Sequence, residues 1–86
     1  MEILRVSANS SPNSVAGAIA SVMRENGEVE VQAVGAGACN QAVKSIAVAR
    51  GYLAPVGIEL VCIPEFATVI INEQERTALK LICCDR

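Results

Sequence analysis

Ile3-Leu4-Arg5-Val6-Ser7-Ala8-Asn9-Ser10-Ser11-Pro12-Asn13-Ser14-Val15 decides the fold, because the chain changes its period partway along it. Residues 2–7 alternate, with Leu4 and Val6 on one side, and read as a short strand. Ser11 then has the side chain of a helix N-cap. Pro12 takes the first helical position, where its missing N–H costs nothing. Val15, Ile19, Val22 and Met23 follow at helical spacing, and Asn26-Gly27 ends the run with a residue suited to a left-handed C-cap. A strand followed directly by a capped helix is the first half of a βαβ unit.

The pattern then repeats. Val29, Val31 and Ala33 alternate with Glu30, Gln32 and Val34 as a second strand. Gly35-Ala36-Gly37 makes the next turn. A second helix follows, with Cys39, Ala42, Val43, Ile46, Ala49 and Leu53 inward and Asn40, Gln41, Lys44 and Ser45 outward; Gly51 and Pro55 bracket its end. Ile58–Ile63 reads as a third strand, bent at Pro64 and extended through Val69-Ile70-Ile71. Asn72-Glu73-Gln74-Glu75 is a hairpin tip, and Thr77–Cys84 returns as the fourth strand. The expected fold is α/β: a two-layer βαβαββ sandwich with a mixed four-stranded sheet. Right-handed crossovers put both helices on one face.

The other face would carry Arg5, Glu30, Gln32, Val34, Glu59, Val61, Ile63, Lys80 and Ile82. With the last strand between the second and third, Lys80 is expected between Glu30 and Glu59. Val34, Val61, Ile63 and Ile82 are apolar enough to suggest a dimer contact, or else cover by a hairpin arm.

Eighty-six residues make one domain, 1–86. The core must be built from small aliphatic side chains, since the chain has one Phe, one Tyr and no Trp. No apolar run approaches the roughly 20 residues of a membrane span, and Met1-Glu2-Ile3-Leu4-Arg5 does not resemble a secretory signal, so a cytoplasmic protein is expected. The four cysteines lack C-x-x-C spacing and His is absent, so no metal or other cofactor is expected. Small, buried, reduced thiols are the reading for Cys39, Cys62, Cys83 and Cys84. The last two would point to opposite faces of a strand.

Charge is segregated. There are nine carboxylates and seven Lys/Arg, yet residues 3–24 and 31–58 contain no Asp or Glu. Both helices and the turns that open them lie in those stretches, together with Arg5, Arg24, Lys44 and Arg50. Each helix start offers unpaired backbone N–H groups and the positive end of a dipole, which suits an anion. Ser10, Ser11 and Asn13 add donors to the first start. At the second, Gly35 and Gly37 allow close backbone approach, Asn40 and Gln41 add amides, and Lys44 lies one turn further on. An ordinary helix cap and an ordinary tight turn would account for the same residues.

Known nucleotide loops do not fit. Position 40 is Asn where G-x-G-x-x-G needs Gly, no acidic residue follows about 20 residues on in this acid-free stretch to hold a ribose, and no P-loop motif occurs. Without a His base or a serine elbow, an enzyme is not expected. Net charge −2 argues against a strong nonspecific DNA coat, and scarce aromatics argue against a base-stacking platform. A modest patch of backbone donors, amides and a few cations remains, able to position a phosphate backbone.

Val6-Ser7-Ala8-Asn9-Ser10-Ser11-Pro12-Asn13-Ser14-Val15-Ala16-Gly17, Gly35-Ala36-Gly37-Ala38-Cys39-Asn40-Gln41-Ala42-Val43-Lys44, Ile46-Ala47-Val48-Ala49-Arg50-Gly51 and Glu75-Arg76-Thr77-Ala78-Leu79-Lys80-Leu81 resemble the stage V sporulation protein S family, from Met1 to about Ile82. The resemblance implies an Alba-like fold. It also implies a small bacterial regulator linked to sporulation, taken to bind nucleic acid by similarity to Alba chromatin proteins. The family usually has Lys where this chain has Asn9, and Leu where it has Cys39. Alba proteins carry lysines in the first βα turn and arginines in the second, whereas here the matching turns, Ser10-Ser11 and Gly35-Ala36-Gly37, are uncharged. On this reading the chain is a homodimer or tetramer with DNA or RNA as partner. Ser10, Ser11 and Asn13 hold one phosphate, Gly35, Gly37, Asn40, Gln41 and Lys44 the next, and Arg76 on the hairpin arm makes a third contact. The alternative is a protein–protein adaptor in sporulation or cell division that binds no nucleic acid.

Overall fold

Local capping starts and stops the first helix where the sequence requires. In the computed structural model, which describes residues 1–86, Ser11 is extended and accepts a hydrogen bond from the Ser14 N–H at 3.5 Å, just outside α1 (Pro12–Asn26). Gly27 closes the helix at φ 76°, its N–H donating to the Met23 carbonyl at 2.9 Å. A side chain there would be strained, so the glycine is required by backbone geometry.

Strands β1 (Ile3–Val6), β2 (Glu28–Ala33), β3 (Leu60–Ile71) and β4 (Gln74–Asp85) form one sheet in the order β1-β2-β4-β3. β1 and β2 are parallel; β4 is antiparallel to both of its neighbours. The expected βαβαββ sandwich is therefore the observed one, with α1 and α2 (Ala36–Leu53) on one face. Val29, Val31, Ala33, Leu81 and Cys83 point to the helices and are buried with Ile19, Met23, Ala42, Ile46, Leu53 and Leu60. Alanine supplies much of the helix contact: Ala16, Ala20, Ala38, Ala42 and Ala49 are all buried. Small residues let the two helices approach each other and the sheet closely.

Two details of α2 differ from expectation. Val43 points outward and is 58 % exposed, while Ser45 is fully buried. Ser45 tolerates burial because its hydroxyl donates to the Gln41 carbonyl at 2.6 Å, one turn back, leaving no unsatisfied polar atom. Arg50 is exposed in the last turn, where its charge complements the helix dipole.

The third and fourth strands make a ribbon paired continuously from Leu60↔Asp85 to Ile71↔Gln74. Pro64 lies inside β3 without breaking it, because β3 is an edge strand and can do without one N–H. The strand begins at Leu60 rather than Ile58, after a short 3-10 turn (Ala54–Val56) that ends on Gly57 at φ 83°. The hairpin tip is only Asn72-Glu73, both left-handed with φ 51° and 66°; Gln74 and Glu75 belong to β4. Positive φ at both central residues is the geometry that matches the twist of a two-residue hairpin.

This tight tip sets the register of β3 on β4. Lys80 faces Gln32 and Glu65, not the expected Glu30 and Glu59, and its ammonium lies 3.5 Å from the Glu65 carboxylate. Glu59 instead pairs with Arg86 at 3.4 Å. The open face therefore carries a polar row, Arg5–Gln32–Lys80–Glu65, beside an apolar row in which Glu30 interrupts Ile3, Ile82 and Ile63.

No helix is long and apolar enough to cross a membrane.

Candidate nucleic-acid interface

Both βα turns open at the carboxyl ends of adjacent parallel strands, so topology alone places them on one edge of the sheet. Packing then locks them together. A Cβ added to Gly37 would stand 3.0 Å from the Ala8 Cβ, a tight contact that would push the two turns apart by a few tenths of an ångström. Gln41 completes the junction by donating its side-chain amide to the Ser10 carbonyl at 2.9 Å. The anchor crosses 31 residues of sequence, and it is a structural tie.

The first turn is ordered from within. The Ser7 N–H donates to Ser10 Oγ at 2.9 Å, the two hydroxyls lie 3.2 Å apart, and the Asn9 N–H reaches Ser7 Oγ at 3.3 Å. Ser10 Oγ is thus already engaged in holding its own loop, and Ser11 Oγ caps α1. Ser10, Ser11 and Gln41, expected to offer donors to a ligand, thus each also serve the fold, and the Ser11 hydroxyl keeps its own proton to donate. Ser7, absent from that expectation, organises the turn; the Ser7-x-x-Ser10 spacing is its only signal in the sequence.

The second turn is different. Gly35 stands at the N-cap of α2 with φ 90° and ψ 160°, and no side chain caps the helix. The first N–H groups of α2 are therefore left to solvent or to a ligand. Asn13, Asn40 and Lys44 are exposed, Asn40 and Lys44 being one helical turn apart on α2.

A cleft of about 560 Å³ adjoins this edge, between the turns and the end of the hairpin arm. Arg5, Ser7, Ala8 and Gln32 line one side, and Val69, Ile70 and Ile71 the other. Arg76 faces Val69 across the ribbon, which associates the arm's cation with the cleft rather than with the turns directly. The protein has two ion pairs, Lys80–Glu65 and Arg86–Glu59, and neither involves Arg5, Lys44 or Arg76. Glu25 and Glu28 lie at the opposite end of α1 and β2, Glu73 stands at the hairpin tip, and Glu75 lies in β4 opposite Ile70.

The family model for stage V sporulation protein S matches residues 2–86. The chain belongs to the stage V sporulation protein S family. Among solved structures, this family member is similar to Alba from Thermoplasma volcanium, with a TM-score of 0.64 over 96 % of this chain and 99 % of that one. Sequence identity is 14 %, so the likeness establishes the fold alone. The Alba-like architecture thus stands on both the strand order and the structural neighbour, while the site of this stage V sporulation protein S member must be argued from its own side chains.

Proposed function

We propose that this protein is a small regulator that binds nucleic acid along the edge formed by its two βα turns, and that it acts as a homo-oligomer. The observation that carries the reading is the docked pair of turns. Gly37 against Ala8 and Gln41 on Ser10 hold two helix N-termini side by side, in stretches of chain free of carboxylates. Two such termini at fixed separation suit successive phosphates of a backbone better than an isolated anion. Arg5, Lys44 and Arg76, none of them in an ion pair, add charge around that edge. The contacts are to the backbone, so they position a duplex without reading its sequence.

The test is an anisotropy titration of duplex DNA and duplex RNA at several salt concentrations. Binding is expected at low salt and should weaken linearly on a log–log plot as counterions compete. Absence of binding to either duplex at the lowest salt would remove the reading and leave the adaptor as the alternative.

Self-association has its own support. The most exposed large apolar side chains are Phe66 at 80 % and Ile70 at 74 %, both on the arm. By strand alternation they share the ribbon side of Leu60 and Cys62, where the core lies nearer the root. The sequence pattern suggests an adhesive surface on the opposite face at Val34, Val61, Ile63 and Ile82; there only Ile63 is exposed, the others being half-buried. A second copy that covers the arm would remove Phe66 and Ile70 from water. Phe66→Asp is therefore expected to shift the protein to monomer in sedimentation velocity, and an unchanged sedimentation coefficient would dismiss the arm as the contact.

A further inference from the structure

We infer that Cys62 and Cys83 form a cross-strand disulfide when the protein meets a peroxide, making the root of the hairpin arm a site of reversible oxidation. The two residues are direct partners in the β3–β4 ladder. Paired Cα atoms in an antiparallel ladder stand about 4.5–5.5 Å apart, within the 4.4–6.8 Å that disulfides span. Both side chains lie on the helix-facing side, so their Cβ atoms project the same way. The bridge thus needs no change of register, only rotation of the two thiols toward each other.

The other cysteines are excluded by geometry. Cys84 projects to the opposite face, between Glu28 and Val61. Cys39 lies in the first turn of α2, after the end of β2, whereas Cys83 faces Val29 near its start.

The pair divides the chemistry. Cys83 is fully buried, and burial pushes its thiol up to about 12, with the neighbouring Cys62 and Cys84 adding to the effect. It is a poor first nucleophile. Cys62 is half-buried and reachable from solvent. Its sulfur attacks one peroxide oxygen, the O–O bond breaks, and a sulfenic acid forms with release of water. Cys83 gives up its proton and attacks the Cys62 sulfur; the S–S bond forms and the sulfenic oxygen leaves as a second water. Two thiols are oxidised and one hydrogen peroxide is reduced to two waters. The bridge ties both strands where the arm leaves the body of the sheet.

The folded protein, treated with hydrogen peroxide and digested with trypsin, tests this. The peptide carrying Cys62 and the C-terminal peptide carrying Cys83 and Cys84 should appear joined, lighter than their sum by two hydrogens, and separate again with dithiothreitol. The joined peptide should persist in Cys84→Ser and vanish in Cys62→Ser, a half-buried change expected to keep the fold. The melting temperature of the oxidised protein should rise by several degrees. Loss of the joined peptide in Cys84→Ser, its survival in Cys62→Ser, or peroxide consumption ending in sulfinic acid or linked molecules would overturn the inference.

Discussion

Ile19→Ala is expected to lower the free energy of unfolding by roughly 2–5 kcal/mol, and toward the upper part of that range. Ile19 is fully buried on α1. The cost depends on how far neighbours can move into the space left by the missing carbons. Here much of the helix layer is alanine, at positions 16, 20, 38, 42 and 49, and no aromatic side chain is buried that could swing in. An alanine cannot reorient to fill a hole, so the cavity should remain open. Domains of this size commonly have about 5–15 kcal/mol in total, which makes the loss a large fraction. Urea unfolding at one fixed protein concentration measures it, because self-association would add stability by mass action. The midpoint should fall with the slope unchanged. Ile19→Val, removing a single methyl, should cost about 0.5–1.5 kcal/mol. A loss for alanine no larger than that for valine would mean that the helix layer repacks, contrary to the rigid alanine contact.

That rigid contact is only half legible in the sequence. Ile19 and Met23 can be placed inward because α1 has local caps and a clear apolar stripe. In α2 so many residues are small that the period is weak, and Val43 and Ser45 exchange places. Hydropathy favours burying the valine. Close helix approach favours the serine, whose hydroxyl finds an acceptor within its own helix.

The sheet teaches a related lesson. Alternation assigns faces correctly to Lys80, Glu30 and Glu59, because a shift by an even number of residues leaves every side chain on its side. It does not assign partners. Within the hairpin those follow from the two-residue tip at Asn72-Glu73 and from pairing that continues through Pro64. At the candidate site, the adjacency of the two turns follows from topology, but the internal use of Ser10 and Gln41 does not. Whether a polar side chain faces a ligand or its own backbone is decided by contacts distant in sequence, such as Gln41 on Ser10.

These internal ties leave charge, rather than hydroxyls and amides, as the adjustable part of the proposed interface, and that yields the second large effect. Arg5, Lys44 and Arg76 are exposed and outside any ion pair, so neutralising them should cost the fold little. An exposed ion contact contributes up to about 1 kcal/mol, so Arg5→Ala, Lys44→Ala and Arg76→Ala together should weaken duplex binding by as much as about a hundredfold. The stronger discriminator is the salt dependence. Every phosphate left without its cation should reduce the log–log slope by roughly 0.9, close to 3 for the triple variant. Arg24 and Arg50 serve as the control, because they lie in the last turns of the two helices, at the other end of the molecule. If the proposed edge is the binding surface, Arg24→Ala with Arg50→Ala should leave the slope unchanged. Equal losses of affinity from the two sets would point to a diffuse attraction spread over the whole protein, in which case the docked turns would have no special part in holding the backbone.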